Sequence, residues 1–282
     1  MISYHTRDKE NYFLNYFNII NFIFCSYKQF DLFKKKNHKK FKQYYKINER
    51  QLSFSIKLLI IIITKHFLNK LYLIFVFKKR KKFYADLKKN ESKNEINAEW
   101  FLQHSFHWNN IFTKFSLYKK PLQILEIGSF EGYSSLYFLK NFPNSIITCV
   151  DTWENHKEYK NFDLSKVEMN FDLNTNKYKN NLKKFKKTSD LFFKKNCNNK
   201  KNYYDIIYID GDHFYETVFR DLINSFKVLK KGGLLIIDDF LGYNFYKDVN
   251  ENPNSAIIVF INIFYNNIKI LKITNQIVIK KI

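Results

Sequence analysis

Residues 124–135 read Ile-Leu-Glu-Ile-Gly-Ser-Phe-Glu-Gly-Tyr-Ser-Ser, and this stretch decides the fold. An apolar run ends here, Gly128 and Gly132 frame a tight turn, and a helical pattern follows. Glycine lets the backbone approach a ligand closely, and a helix N-terminus offers free N–H groups with the positive end of its dipole. The stretch therefore predicts a ligand site at the end of a buried strand.

Short apolar runs alternate with helix-sized intervals on both sides of this turn. That alternation is typical of a parallel sheet covered on both faces. Near the C-terminus a helix is predicted over Ala256–Tyr265, and two short runs then predict an antiparallel hairpin. The predicted strands are Leu122–Ile127, Ser145–Val150, Tyr204–Ile209, Leu234–Ile237, Ile268–Ile273 and Gln276–Ile279, with a further strand near Lys183–Lys187.

Asp151 ends the second strand, 23 residues after Gly128. A carboxylate in that place can accept both hydroxyls of a ribose, as in other crevices at the carboxyl ends of parallel strands. The alternative is a plain βαβ unit in which Asp151 caps a helix. A nicotinamide site would need the pattern G-x-G-x-x-G, in which the middle glycine lets the pyrophosphate approach the backbone. Phe130 occupies that middle position here.

The residues Leu125–Ser135 resemble motif I of class I S-adenosylmethionine-dependent methyltransferases. The resemblance is to the branch of catechol, caffeoyl-CoA and related bacterial small-molecule and sugar O-methyltransferases. It covers about Trp100–Ile282 and implies a Rossmann-like, doubly wound α/β fold with a seven-stranded, mostly parallel sheet. It also implies that Glu126, Gly128 and Ser134 hold the methionine part of the cofactor and Asp151 the ribose. The full cofactor-binding set predicted in this way is Glu126, Gly128, Ser129, Phe130, Gly132, Ser134, Asp151, Ser189 and Asp210.

Acidic residues follow the fourth and fifth strands, in Asp210-Gly211-Asp212-His213 and Asp238-Asp239. Clustered carboxylates repel one another, and oxygen ligands suit Mg²⁺, Mn²⁺ or Ca²⁺. In the resembling metal-dependent enzymes the matching positions, Asp210, Asp238 and Asp239, ligate the cation. The base lies two or three residues after the first ligand, which leaves Asp212 and His213 as alternatives. A turn whose aspartates cap helices is the plain structural reading.

The net charge of +22 suggests nucleic acid as a partner, but only four of the 48 basic residues are arginine. Proteins that bind nucleic acid favour arginine for bidentate contacts to bases and phosphates. The abundance of Lys, Asn, Ile, Phe and Tyr is instead typical of a gene with AT-rich codons. The charge is therefore attributed mainly to codon composition. A nucleic-acid methyltransferase remains an alternative, and so does a non-catalytic adaptor that keeps the fold.

The first 95 residues differ from the rest, because they hold 22 Lys or Arg against 7 Asp or Glu, and form a predicted helical segment. Their second apolar stretch, Phe54–Phe77, approaches the length of a membrane span. About 16 apolar side chains favour insertion by about 5–9 kcal/mol, and the central Lys65 and Lys70 oppose it by about 5–7 kcal/mol. Helices packed on the domain, peripheral membrane contact and a true span all remain open.

The prediction from sequence is thus a helical segment at 1–95 and a methyltransferase domain at 96–282. The reaction is O-methylation of a small molecule or sugar with S-adenosylmethionine, assisted by a divalent cation. Three widely spaced cysteines (Cys25, Cys149 and Cys197) give no disulfide framework, so a cytoplasmic setting is expected. His104 and His107 are interpreted as packing residues, with a lid over the cofactor as the alternative. The sequence leaves the oligomeric state open.

Overall fold

The computed structural model describes residues 55–91, 94–154, 163–198, 200–241 and 253–282, with the isolated positions 43, 46, 48 and 51. Its centre is one seven-stranded sheet in the order β3-β2-β1-β4-β5-β7-β6. The first five strands pair in parallel, and β7 runs antiparallel to both of its neighbours. The predicted doubly wound α/β fold with a C-terminal antiparallel hairpin is confirmed. The strands are β1 (Gln123–Ile127), β2 (Ile146–Asp151), β3 (Leu182–Lys186), β4 (Tyr204–Ile209), β5 (Leu229–Ile237), β6 (Ile268–Ile273) and β7 (Ile277–Lys281).

The strands are buried on both faces, as their continuous apolar sequences predicted. Along β4, Ile207 and Ile209 belong to one apolar core, and Ile206 and Tyr208 belong to the core on the opposite face. This alternation has the two-residue period of a strand. The eight helices of the described residues are α1 (Ile56–Phe75), α2 (Phe77–Glu91), α3 (Leu102–Lys114), α4 (Tyr133–Asn141), α5 (Leu164–Thr175), α6 (Ser189–Asn196), α7 (Tyr215–Val228) and α8 (Pro253–Phe264).

The strand bounds lie within two residues of the sequence prediction except in β5. Strand β5 begins at Leu229, five residues earlier than predicted, because Leu229 pairs with Tyr204 before a register shift in the strand pairing. The intervening Lys230-Lys231-Gly232-Gly233 looks like a turn in sequence, and in the structure it bulges out of the pairing with β4, with Gly232 at a φ of 83°. The polar interval after Asp151, for which no helix was predicted, contains α5.

The N-terminal helices lie against the sheet domain. Helix α1 buries Leu58, Ile62, Asn69 and Leu73, and the first two join the core on the α8 side of the sheet. Helix α2 contacts α3, where the Tyr84 hydroxyl donates to the Gln103 carbonyl at 2.9 Å. The first apolar stretch, Tyr12–Phe24, and Cys25 lie outside the described residues. The division at residues 95 and 96 stays a prediction.

Candidate functional site

The turn between β1 and α4 is built on three residues with positive φ: Gly128 at 83°, Phe130 at 46° and Gly132 at 84°. At Gly128 an added Cβ would lie 1.9 Å from the carbonyl oxygen of Asp210. The end of β1 therefore lies directly against the end of β4, and only glycine fits there. The glycine at position 128 is therefore required by this backbone contact, whether or not a ligand also binds at the turn.

Asp151 holds the turn from the neighbouring strand end. Its Oδ2 accepts the backbone N–H groups of Ser129 at 2.8 Å and Phe130 at 2.9 Å, and its Oδ1 accepts that of Trp153 at 2.9 Å. A carboxylate offers about four acceptor positions, so about one remains for a further donor. The partly exposed carboxylate can thus still accept a ribose hydroxyl.

Two tryptophans enclose the same turn. The Trp153 indole donates to the Phe130 carbonyl at 2.9 Å, and the Trp100 ring lies 5.2 Å from the Phe130 ring. Phe130 therefore stands between two large aromatic residues at the carboxyl edge of the sheet.

Glu126 is fully buried beneath the turn. Its carboxylate accepts hydrogen bonds from Ser134, Ser135, Ser129 (3.1 Å) and Cys149 (3.3 Å). Burial raises the pKa of Glu126, and the four hydrogen bonds oppose that rise. Three predicted cofactor residues, Glu126, Ser129 and Ser134, are thus assembled into one cluster that supports the turn from below. Their direct contact with a cofactor stays a prediction.

Glu131 connects the turn to the segment before α3. Its carboxylate accepts from the backbone of Asn97 (2.7 Å) and Ala98 (3.2 Å) and from the side chains of Asn97 and Asn170. This buried carboxylate fixes the chain that carries Trp100 over Phe130. The sequence analysis did not identify it, because the four donors come from segments more than thirty residues away.

Ser189 begins α6, and the Thr188 hydroxyl caps that helix by accepting from the Leu191 N–H at 3.3 Å. Behind it lies Asp221 of α7, which is 1% exposed. Burial raises the pKa of Asp221 to about 7, and a hydrogen bond with Ser189 opposes the rise. The one sequence signal for the burial of Asp221 is its position on the apolar face of α7.

Asp221 makes the stability of the chain depend on pH. The carboxyl is neutral in the folded chain up to a pKa of about 7, whereas its ordinary value is 3.8. Between these values the folded state binds the extra proton, so we expect the free energy of unfolding to fall as pH rises from about 4 to about 7. In urea titrations across this pH range, the unchanged chain should lose on the order of 3 kcal/mol of unfolding free energy. Asp221→Asn should not show this loss. The exposed Asp172→Asn is the control, and an unchanged slope in Asp221→Asn would contradict the assignment.

Asp210 and Asp238, at the carboxyl ends of β4 and β5, both contact the hydroxyl of Tyr208. The Tyr208 hydroxyl lies 2.7 Å from Asp210 Oδ2 and 2.6 Å from Asp238 Oδ2. One phenolic hydrogen cannot be donated to two carboxylates at once, so a further proton or a cation is needed here. Desolvation, with the charges of Asp238 and Asp239, accordingly raises the pKa of Asp210 well above its usual range.

Asp239, at φ 54°, turns away from Asp238 toward His213. The His213 Nε2 lies 3.0 Å from Asp239 Oδ2, at the distance of an ion pair when the imidazole is protonated. Within the described parts of the chain, Asp210, His213 and Asp239 are the residues whose ligand atoms meet within 4.8 Å of one another. The structure thus unites two of the three predicted metal ligands with one of the two candidate bases.

Asp238 and Asp212 are directed elsewhere. Asp238 Oδ2 also accepts from the Gln276 amide at 2.7 Å, while Oδ1 accepts the backbone N–H of Asp239 at 2.8 Å. Asp212 Oδ1 accepts the backbone N–H of Phe214 at 3.0 Å, just before α7 begins. Asp238 therefore has few acceptor positions left and Asp212 serves a helix start, so their roles as ligand and base stay predictions.

A buried polar chain runs from this acidic rim into the core. The Trp108 indole donates to Gln276 at 2.8 Å, Gln276 donates to Asp238, and His104 Nε2 lies 3.9 Å from Asp238 Oδ1. Tyr208 could have been found in the sequence, since it stands two residues before Asp210 and so shares its strand face. Trp108 and Gln276 are 168 residues apart, and no local pattern predicts that contact.

These residues fit the two groups that the sequence resemblance implies. Asp151 offers a carboxylate that can accept a ribose hydroxyl, and Phe130 with Trp100 offers an aromatic surface beside it. Both features suit a nucleoside cofactor such as S-adenosylmethionine. The Asp210, His213 and Asp239 group offers hard oxygen atoms, whose mutual repulsion a divalent cation would relieve.

Residues 125–240 match the family model of a methyltransferase domain. The chain is 27% identical over 166 residues to an uncharacterized protein of Acanthamoeba polyphaga mimivirus, covering 58% of this chain and 72% of the relative.

Two solved structures are also similar to the chain. The O-methyltransferase TomG from Streptomyces achromogenes, solved with S-adenosylmethionine, is 10% identical with a TM-score of 0.48, covering 72% of this chain and 89% of TomG. An O-methyltransferase from Bacillus cereus, in complex with S-adenosylhomocysteine, is 13% identical with a TM-score of 0.47, covering 78% of this chain and all of that one. The family match thus shows that residues 125–240 are similar to a methyltransferase domain.

Proposed function

We propose that the chain transfers a methyl group from S-adenosylmethionine to a hydroxyl of a small molecule or sugar, with a divalent cation between Asp210 and Asp239. The observation that carries the proposal is the meeting of Asp210, His213 and Asp239 beside the Gly128 turn. The acceptor class rests on the Asp238-Asp239 pair, which resembles that of the sugar-modifying bacterial enzymes.

The binding roles follow from the strand ends. Asp151 would accept one ribose hydroxyl while it holds the turn, and Phe130 with Trp100 would keep water from the reacting side. S-adenosylmethionine, when bound, supplies an electrophilic methyl group on a sulfonium. The main contribution of the chain is to align an acceptor oxygen in line with that methyl group, since alignment alone can supply much of the rate.

Asp210 and Asp239 would hold the cation with their carboxylate oxygens. A divalent cation, when bound, supplies positive charge that stabilises a developing alkoxide. His213 would take the hydroxyl proton as the oxygen–carbon bond forms and the sulfur–carbon bond breaks, with the bonding pair staying on sulfur. Asp239, 3.0 Å away, favours the imidazolium that results.

Methyl transfer to a panel of acceptors tests the proposal. Purified full-length chain is incubated with S-adenosylmethionine and nucleotide sugars, simple sugars or catechols, with Mg²⁺ or with EDTA. We expect turnover of a sugar hydroxyl that EDTA abolishes and Mg²⁺ restores. Asp239→Asn should lower kcat by about a hundredfold, in the range known for lost electrostatic stabilisation.

The matched control is Asp205→Asn, because Asp205 pairs with Lys230 at the opposite, amino end of β4. Its kcat should stay within about twofold of the unchanged chain, because the substituted amide can still accept the Gln123 N–H that Asp205 Oδ2 accepts at 2.8 Å. Methyl transfer that persists in EDTA would contradict the proposed need for a divalent cation. Methyl transfer to catechols alone would contradict the proposal of a sugar acceptor.

A further inference from the structure

Helix α1 carries two apolar faces on opposite sides. The buried face presents Leu58, Ile62, Asn69 and Leu73, which are spaced by four, seven and four residues. This spacing keeps the four side chains on one side of a helix, where α1 lies against β6 and the core. The packing of α1 on the domain therefore accounts for only one of its faces.

The opposite face is apolar and exposed. Ile56, Ile60 and Ile74 are spaced by four and fourteen residues and are 75%, 58% and 68% exposed. The exposed positions of α1 are all apolar or aromatic except Lys57 and Thr64. A soluble helix packed on a domain normally presents polar side chains outward, so a continuous apolar stripe marks a binding surface.

The exposed stripe leads directly into a basic helix. Phe75 is 86% exposed and Phe77 is 49% exposed, and α2 then places lysines at the surface. Asp86 is an exposed carboxylate within this stretch. The exposed lysines of α2 are Lys78, Lys79, Lys81, Lys82, Lys88 and Lys89.

We propose that the outward face of α1 and the lysines of α2 bind the surface of an anionic lipid bilayer, with α1 lying in the interface. Apolar side chains would enter the acyl boundary while the lysines meet anionic headgroups, the arrangement typical of interfacial helices. This goes beyond the proposed methyl transfer and does not depend on it.

The partner is a lipid surface for two reasons. Helix α1 has the length and mean hydropathy of a span, 20 residues and 1.7. Its inner face, however, is packed on the sheet domain through Leu58 and Ile62, so the helix is not free to cross a bilayer. A second copy of the chain would bring the lysine-rich helix against itself, and like charges repel across a twofold interface.

Vesicle sedimentation of the full chain tests this. We expect binding to phosphatidylcholine vesicles that contain phosphatidylserine, weak binding to phosphatidylcholine alone, and release as salt is raised. The double variant Ile60→Ser/Ile74→Ser should weaken binding at least about tenfold through lost apolar burial. Lys81→Gln/Lys82→Gln should weaken it about 25-fold, at about fivefold for each charge.

Matched controls lie elsewhere on the surface. Ile282→Ser removes an exposed apolar side chain and Lys194→Gln/Lys195→Gln removes two exposed charges of α6, and each should change binding by less than about twofold. Circular dichroism of every variant verifies folding. No binding to anionic vesicles, equal binding by all variants, or binding that appears only after deletion of residues 1–42 would overturn the proposal. A dimer that Ile60→Ser/Ile74→Ser dissociates, without vesicle binding, would overturn it too.

Discussion

Gly128→Ala is expected to destabilise the chain by more than about 4 kcal/mol, an effect at the upper end for single substitutions. The new Cβ would lie 1.9 Å from the Asp210 carbonyl oxygen and 2.7 Å from the Gly211 Cα. Both atoms belong to the backbone at the end of β4, which cannot move aside as a flexible side chain would. Separation of β1 from β4 would also disrupt the contact between the turn and the acidic rim.

Gly232→Ala is the matched control for that prediction. Gly232 has the same φ of 83° as Gly128, but no atom lies within 4 Å of its added Cβ. Both variants carry the left-handed backbone cost of about 1–2 kcal/mol, so their difference isolates the clash. Urea unfolding gives both values, and equal destabilisation would contradict the close packing of β1 on β4.

His213→Ala is expected to lower kcat by about 10²–10⁴-fold, the range for loss of a general base. His213 is the candidate base that the structure brings to the carboxylates, 3.0 Å from Asp239. Asp212 instead accepts the backbone N–H of Phe214, and Asn can replace it there. Asp212→Asn should therefore retain kcat within about threefold, since only one charge is removed.

A titration with Mg²⁺ separates two roles for His213. As the base, its loss leaves the affinity for Mg²⁺ nearly unchanged while kcat falls. As a ligand beside Asp210 and Asp239, its loss would weaken Mg²⁺ binding and kcat together. Calorimetry on His213→Ala and Asp239→Asn in parallel compares the two. A fall in kcat for Asp212→Asn as large as that for His213→Ala would contradict the assignment of the base.

The sequence predicted the central strands and the turn because their signals are local. The apolar runs of β1, β2 and β4 end in Glu126-Ile127-Gly128, Asp151 and Asp210, and each ending lies at the predicted edge of the sheet. The start of β5 was missed because Lys230-Lys231-Gly232-Gly233 has the composition of a turn. Only Leu229, before this stretch, pairs with Tyr204, which is remote in sequence.

The candidate site was predicted in its residue types and less well in its contacts. Asp210 and Asp239 meet, but Asp238 is held by Tyr208 and Gln276, and Gln276 comes from the far end of the chain. Glu131 escaped notice for the same reason, since its partners lie on α5 and in the segment before α3. Local pattern fixes which strand end a carboxylate occupies, whereas long-range packing decides which partner it meets.

Calorimetric titration of the full-length chain with S-adenosylmethionine and S-adenosylhomocysteine tests the central claim most directly. We expect micromolar binding of both, weakened at least about tenfold in Asp151→Ala, which loses the acceptor of the Ser129 and Phe130 N–H groups. Asp205→Asn should bind as the unchanged chain does. Absence of binding by a chain that circular dichroism shows to be folded would contradict the account and favour a non-catalytic adaptor with a methyltransferase fold.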